Sequence, residues 1–171
     1  GQLYLGSGGT YDSPLELEGA GWSQPISNGV VNRWGALFAF TYTGSNAFGA
    51  GGGKAVYAGD IKLTDNARIS ALAFGDLEIT GTISSGNNAY GIETTGDRTV
   101  ILSSANTYLG DTQVSSGNLV LNNASGAAIY SDTAAYNALN VANQGRVIIG
   151  NVDGNVQKNS ARLQFTSDNQ F

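Results

Sequence analysis

Three short β-type runs lie close together near the middle of the chain, between Val100 and Leu121. The runs are Val100–Leu102, Thr112–Val114 and Leu119–Leu121, and small polar residues and glycines separate them. Hairpins closed by two-residue turns would space the runs differently. This spacing suits one coil of a solenoid, in which each strand lies on the equivalent strand of the next coil. The stretch therefore predicts an elongated scaffold rather than an enzyme built around a pocket.

Pairs of apolar residues two positions apart recur along the whole chain, which is the period of strands with one buried face. Helical periodicity is nearly absent. The pairs are Leu3/Leu5, Leu15/Leu17, Ile61/Leu63, Leu72/Phe74, Leu77/Ile79, Leu119/Leu121, Val147/Ile149 and Leu163/Phe165. The pattern predicts one all-β domain over residues 1–171, a parallel β-solenoid with coils of about 20–27 residues.

Glycine and asparagine mark the breaks between the runs, and the chain contains 25 glycines but only 12% charged residues. Both residue types accept the left-handed backbone that a sharp bend requires. We therefore expect short strands joined by Gly/Asn-rich corners, with asparagines such as Asn106 and Asn118 in stacked amide ladders.

Two segments interrupt the regular pattern. Residues 22–53 are rich in aromatic side chains and form a bulging loop, a widened coil or an edge hairpin. Residues 131–138 are the one helix candidate, because Ser131 or Asp132 can cap a short alanine-containing turn.

Composition excludes several classes of function. The chain has no Cys and no His, which removes disulfides, zinc–thiolate sites, cysteine nucleophiles and the commonest general base. Its net charge is −5 and its 8 basic residues form no stripe, so we expect no nucleic-acid partner. No apolar run approaches the roughly 20 residues that span a bilayer, so we expect no membrane insertion.

Acidic residues are the remaining candidates for catalysis or metal binding. Glu16 and Glu18 share one face of a predicted strand, which indicates a solvated face; a carboxylate pair for glycoside hydrolysis is the alternative. Five aspartates lie beside predicted turns: Asp60, Asp65, Asp76, Asp97 and Asp111. Bonds from their side chains to nearby backbone explain them more simply than calcium between coils. We therefore expect no enzyme activity and no cofactor, with calcium as the alternative.

The run Ser104–Leu121 resembles the autotransporter-associated β-strand repeat, also called the passenger-associated transport repeat. The residues that match the family pattern in order are Asn106, Thr107, Tyr108, Gly110, Thr112, Val114, Gly117, Leu119 and Leu121. The residues that depart from it, at turn and surface positions, are Ala105, Leu109, Asp111 and Gln113. The resemblance implies a right-handed parallel β-helix in an exported bacterial surface protein.

Strand-like sequence reaches almost to both ends, from Leu3 at one end to Phe165 at the other, without an evident polar cap. We therefore expect a non-catalytic module of an extracellular or cell-surface fibre or filament. Its expected partners are identical subunits or neighbouring modules, stacked end to end.

The aromatic segment supports a second hypothesis, an adhesin or glycan-binding passenger domain. Aromatic rings on the flank of a solenoid can stack on sugars or dock a partner, whereas rings that fill a wider coil are structural. The candidate binding residues are Trp22, Trp34, Phe38, Phe40 and Tyr42. A third hypothesis is a polysaccharide-degrading β-helix that uses Asp and Glu.

Overall fold

The computed structural model describes residues 1–6, 8–21, 23–25, 31–40, 53–72, 75–129, 145–150 and 161–168. Within these ranges the chain forms β-strands and no helix, and therefore no helix that could cross a membrane. The strands are β1 (Leu3–Gly6), β2 (Thr10–Tyr11), β3 (Leu15–Gly19), β4 (Ser23–Pro25), β5 (Val31–Arg33), β6 (Leu37–Phe40), β7 (Lys54–Tyr57), β8 (Ile61–Leu72), β9 (Asp76–Ile79), β10 (Ile83–Ser84), β11 (Ile92–Gly96), β12 (Thr99–Leu102), β13 (Thr112–Val114), β14 (Asn118–Leu121), β15 (Val147–Ile149) and β16 (Arg162–Phe165).

Two parallel sheets contain almost all of these strands. The eight-stranded sheet has the order β1-β6-β8-β11-β13-β15, and β3 and β10 also pair with β8. The six-stranded sheet has the order β2-β7-β9-β12-β14-β16. Every pair in both sheets is parallel. The all-β prediction is confirmed, and the arrangement is consistent with a β-solenoid-like fold.

Along the main path of each sheet the strand order follows the order of the chain, so successive strands are added in one direction. In the eight-stranded sheet, residues 61–67 of β8 pair in addition with β3 and β10. In the middle of the chain the returns are regular: Lys54 lies beside Asp76, Leu77 beside Val100, and Thr99 beside Asn118. These partners are 22, 23 and 19 positions apart, close to the predicted period.

Toward both ends the returns are longer than predicted. Thr10 pairs with Val56 and Asn118 with Arg162, which are 46 and 44 positions apart. The described parts of these intervals contain β3 to β6 in the first case and β15 in the second, so the chain makes a longer excursion between successive strands of the six-stranded sheet. A two-residue apolar period carries no information about the length of such excursions.

The core lies between the sheets and consists of residues that repeat in register. In the six-stranded sheet Leu77, Val100 and Leu119 occupy equivalent positions in successive strands, and Leu102 and Leu121 do so two residues later. All of them are buried in one apolar cluster, which the eight-stranded sheet completes from the other side. The predicted pairs Leu77/Ile79 and Leu119/Leu121 therefore point inward, as the alternating pattern indicates.

Glycines let neighbouring corners touch through their backbones. A side-chain carbon on Gly81 would overlap the carbonyl oxygen of Gly59, and one on Gly110 would overlap the backbone of Tyr90. Strands in a sheet lie only about 4.8 Å apart, so corners stacked at this spacing leave no room for a methyl group. This accounts for part of the high glycine content.

Residues of the Ser104–Leu121 motif connect neighbouring strands. Tyr108 is fully buried and its hydroxyl lies 2.6 Å from Thr112 Oγ1. Asn106 is only 2% exposed; its Oδ1 accepts a hydrogen bond from Ile83 N at 2.8 Å and its Nδ2 donates to Ala128 O at 2.6 Å. Asn106 therefore bonds main-chain groups on both sides, whereas the sequence suggested a stack of amides.

The two irregular segments are described only in part. Within residues 22–53, β4 and β5 pair antiparallel and β6 joins the eight-stranded sheet. The helix candidate at 131–138 lies outside the described residues.

Candidate functional site

Four aromatic rings gather on the outer face of the eight-stranded sheet and are called here the aromatic cluster: Tyr4, Trp34, Phe38 and Phe40. Tyr4 pairs with Phe38 in register, while the flanking Leu37 belongs to the core on the opposite face. The cluster includes three of the five predicted binding residues. Trp22 and Tyr42 lie outside the described residues.

The rings of the aromatic cluster pack mainly on one another. The ring centroids of Trp34 and Phe38 are 5.9 Å apart in an edge-to-face arrangement, and those of Tyr4 and Phe38 are 5.0 Å apart. Trp34 and Phe40 are nearly parallel, at 15° and 6.3 Å. Phe38 is only 5% exposed, so it offers almost no surface to a ligand. Trp34 and Phe40, which are half-buried, keep part of their rings at the surface.

Tyr4 anchors the cluster and was not predicted from the sequence. Its hydroxyl donates a hydrogen bond to Phe40 O at 2.9 Å. Burial raises the pKa of the Tyr4 hydroxyl, and the nearby Tyr11 adds to the increase. Tyr4 meets Phe38 only because β1 pairs with β6, a long-range register that no local pattern reports.

A groove of about 400 Å³ crosses several strands of the eight-stranded sheet. Arg68, Glu93, Asp111 and Gln113 line it together with an asparagine and several glycine, alanine and isoleucine residues. Arg68 Nη2 lies 2.6 Å from Glu93 Oε2, and Arg146 Nη2 lies 2.7 Å from Asp111 Oδ2. Gln113 Nε2 donates to Gly150 O. Each of these four side chains therefore already bonds a partner within the protein.

Three of the predicted aspartates hold neighbouring strands together. Asp60 Oδ1 accepts from Thr82 N at 2.9 Å, Asp76 Oδ1 from Thr99 N at 3.0 Å, and Asp111 Oδ1 from Arg146 N at 2.9 Å. The sequence indicated bonds within local turns, but these three reach the next passage of the chain. In the part of the chain that the structure describes, no three acidic side chains come together to hold a metal ion.

The Glu16/Glu18 pair lies on the solvated face of β3, while Leu17 between them is buried. Glu16 Oε1 accepts from Lys62 Nζ at 3.0 Å and Glu18 Oε2 from Thr64 Oγ1 at 3.1 Å. Both carboxylates therefore contact the neighbouring strand β8 on its exposed side.

Large apolar side chains are exposed at the outermost strands. Leu3 in β1 is 36% exposed, Ile149 in β15 is 56% exposed and Phe165 in β16 is 49% exposed. Each continues a row whose next member is fully buried: Leu37 beside Leu3, Val114 beside Ile149, and Leu121 beside Phe165. The apolar interior thus reaches the surface at both edges of the strand stack.

The outermost strands also pair on one side only. Within the described ranges β1 pairs with β6, β15 with β13, and β16 with β14, and none of the three has a second neighbour. A strand edge with free N–H and C=O groups readily accepts another strand. These edges, with their exposed apolar residues, are the candidate functional site that the structure supports best.

Comparison with known proteins identifies no relative. No family model matches the chain, and no curated protein or solved structure matches it significantly.

Proposed function

We propose that the chain is a non-catalytic structural module of an extracellular bacterial surface fibre or filament. In this proposal it is a right-handed parallel β-solenoid, and the fibre grows when the edge strands of one module pair with those of the next. The observation that carries the proposal is the exposure of core-type residues, Leu3, Ile149 and Phe165, on strands that pair on one side only among the strands that the structure describes.

The energetics of stacking favour this reading. Complete burial of a large apolar side chain stabilises by about 1.5–3 kcal/mol, so covering three half-exposed ones contributes roughly 3 kcal/mol. The newly paired strand edges add hydrogen bonds worth about 1 kcal/mol each. In solenoids most of the stability of each repeat comes from its neighbours, which makes further stacking the natural way to protect an open edge.

Placement at the cell surface rests on the resemblance of Ser104–Leu121 to the autotransporter-associated repeat. The lack of Cys and the low charge content are compatible with an exported β-protein.

A charged side chain introduced at one edge strand tests the proposal. Lysine in place of the inward-facing Phe165 would be buried without a partner when another strand pairs with this edge. We therefore expect Phe165→Lys to abolish concentration-dependent assembly observed by sedimentation and electron microscopy. Gln164→Lys is the matched control, because Gln164 is the exposed neighbour in the same strand and faces the opposite side. Wild-type protein that stays as short single particles at every concentration would refute the proposal.

Glycan binding by the aromatic cluster is a second candidate function. Its support is the surface area that Trp34 and Phe40 retain on the outer face of the sheet. A glycan array would test it with the wild type, Trp34→Ala and Phe165→Lys. Binding lost only in Trp34→Ala would support an adhesin, whereas no binding by the wild type would reject it.

A further inference from the structure

Two rows of inward-facing residues run through the part of the chain that the structure describes, one in each sheet. The first row in the eight-stranded sheet consists of Leu3, Leu37, Ile69, Thr94, Val114 and Ile149. The four inner members are buried, and the two end members are the exposed residues Leu3 and Ile149. This row is called the Leu3–Ile149 row below.

The second row lies in the six-stranded sheet and consists of Tyr11, Tyr57, Ile79, Leu102, Leu121 and Phe165. Its inner members are buried, Tyr11 is partly buried, and Phe165 is 49% exposed. This row is called the Tyr11–Phe165 row below.

The two rows have the same number of members, which makes the molecule able to continue itself. A second copy shifted along the stack by six strand spacings, about 29 Å, would place its Leu3 one spacing beyond Ile149. The same shift places its Tyr11 one spacing beyond Phe165. One rigid placement therefore extends both rows together and covers the exposed apolar residues of both edges.

Charge favours the same head-to-tail orientation. Residues 1–21 contain Asp12, Glu16 and Glu18 and no Lys or Arg. At the opposite edge, the described residues 145–150 and 161–168 contain Arg146 and Arg162 against Asp168. Opposite charges on the two edges favour a head-to-tail arrangement, whereas two copies of the acidic edge formed by residues 1–21 would repel each other. Head-to-tail placement also keeps the new strand pairs parallel, as they are throughout both sheets.

We infer that the occupant of each edge is a second copy of this chain, docked head to tail in one register. Leu3 of one copy lies beside Ile149 of the next, and Tyr11 beside Phe165. This inference rests on the proposed end-to-end function and adds the partner, the orientation and the residue pairs.

Disulfide trapping between copies tests the register, because the chain contains no Cys of its own. Two single-cysteine proteins, Leu3→Cys and Ile149→Cys, are mixed and mildly oxidised, and dimers are counted on a non-reducing gel. Adjacent strands place Cα atoms about 4.8 Å apart, within the 4.4–6.8 Å range of disulfides. The pair Tyr11→Cys with Phe165→Cys is tested in the same way.

We expect both matched mixtures to give about tenfold more crosslinked dimer than either single-cysteine protein alone. The unmatched control is Leu3→Cys mixed with Phe165→Cys, whose thiols lie in different sheets and out of disulfide range, and each matched mixture should exceed it by the same factor. Circular dichroism checks that each variant folds. The four positions lie on outermost strands, where three are exposed and Tyr11 is partly buried. Sedimentation of the same samples distinguishes a wrong register from a failure to assemble. Assembly with crosslinks that favour Leu3→Cys alone, Ile149→Cys alone or the unmatched mixture overturns the register but keeps the proposed function. Absence of assembly overturns the proposed function itself.

Discussion

Removal of the Asn106 side chain should destabilise the protein far more than removal of an exposed asparagine. Asn106 is 2% exposed and bonds Ile83 N at 2.8 Å on one side and Ala128 O at 2.6 Å on the other. Its Nδ2 also lies 3.1 Å from Ser104 O. One side chain thus satisfies main-chain groups from three successive passages of the chain.

The expected magnitude follows from those contacts. In Asn106→Ala, Ile83 N–H and Ala128 C=O lose their partner at a site too buried for water to replace it. Each orphaned buried group costs about 1–3 kcal/mol, so for the two groups we expect a loss of roughly 2–6 kcal/mol. That is a large part of the 5–15 kcal/mol typical of a whole domain.

Asn106→Asp separates the two bonds. The introduced carboxylate still accepts from Ile83 N, but it faces the Ala128 carbonyl without a proton to donate. A protonated carboxyl restores the donor, so the pKa of this group should be raised in the folded state above its unfolded value. Its stabilising contribution is then present at low pH and is lost as the pH rises through the folded pKa. We expect Asn106→Asp to gain stability relative to Asn106→Ala as the pH falls.

Urea unfolding followed by far-UV circular dichroism measures both effects. The control is Asn87→Ala, at an exposed corner position, which should change stability by less than about 0.5 kcal/mol. If Asn106→Ala unfolds like this control, the bonds between successive passages are not those described.

Three further variants probe the same stack by urea unfolding. Gly81→Ala should lower the free energy of unfolding by about 2–4 kcal/mol, because the new methyl group pushes apart corners that bond through Thr80 N and Tyr57 O at 2.9 Å. The control is Gly8→Ala at an exposed position with open space around it, which should lose only about 1 kcal/mol through left-handed backbone strain. Equal costs would contradict the stacking of corners. Leu102→Ala should cost about 2–5 kcal/mol and Ile101→Ala, on the outward side of the same strand, clearly less; the reverse order would contradict the inward row. Burial raises the pKa of Glu78, but the hydrogen bonds from Lys54 and Ser103 together lower it by more than burial raises it. The pKa of Glu78 therefore lies below its ordinary value. Its contribution is therefore present above the unfolded pKa and is lost as the pH falls through the folded pKa. Glu78→Gln should be less stable than wild type at neutral pH by about 1 kcal/mol, with the difference vanishing in acid. A difference that grows in acid would contradict this assignment.

The strands were predictable because they obey a local rule. Leu77 and Ile79, or Leu119 and Leu121, alternate with outward residues, and that alternation is written in the sequence whatever lies around the strand. The short spacing between Val100 and Leu121 likewise indicated stacking rather than hairpins, and the parallel pairs of β12 with β14 bear this out.

The contacts between strands were not predictable, because they depend on register over long intervals. Tyr4 joins the aromatic cluster only through the pairing of β1 with β6, whose partners are 34 positions apart. Asp60 and Asp76 were assigned to local turns, yet they accept from backbone N–H groups 22 and 23 residues away. A short polar side chain at a corner meets the next corner as easily as its own, and only the stacking distance decides which.

The central claim is that the chain advances by one strand spacing at each return to the six-stranded sheet. Thr10, Ile101 and Gln164 occupy one in-register row of the six-stranded sheet. Ile101 lies three strand spacings from Thr10, and Gln164 lies five. Spin labels at Thr10 and Ile101, and at Thr10 and Gln164, measured by pulsed electron paramagnetic resonance, should report backbone separations of about 14 and 24 Å. A Thr10–Gln164 distance equal to or shorter than the Thr10–Ile101 distance would mean that the chain folds back on itself, and would contradict the account.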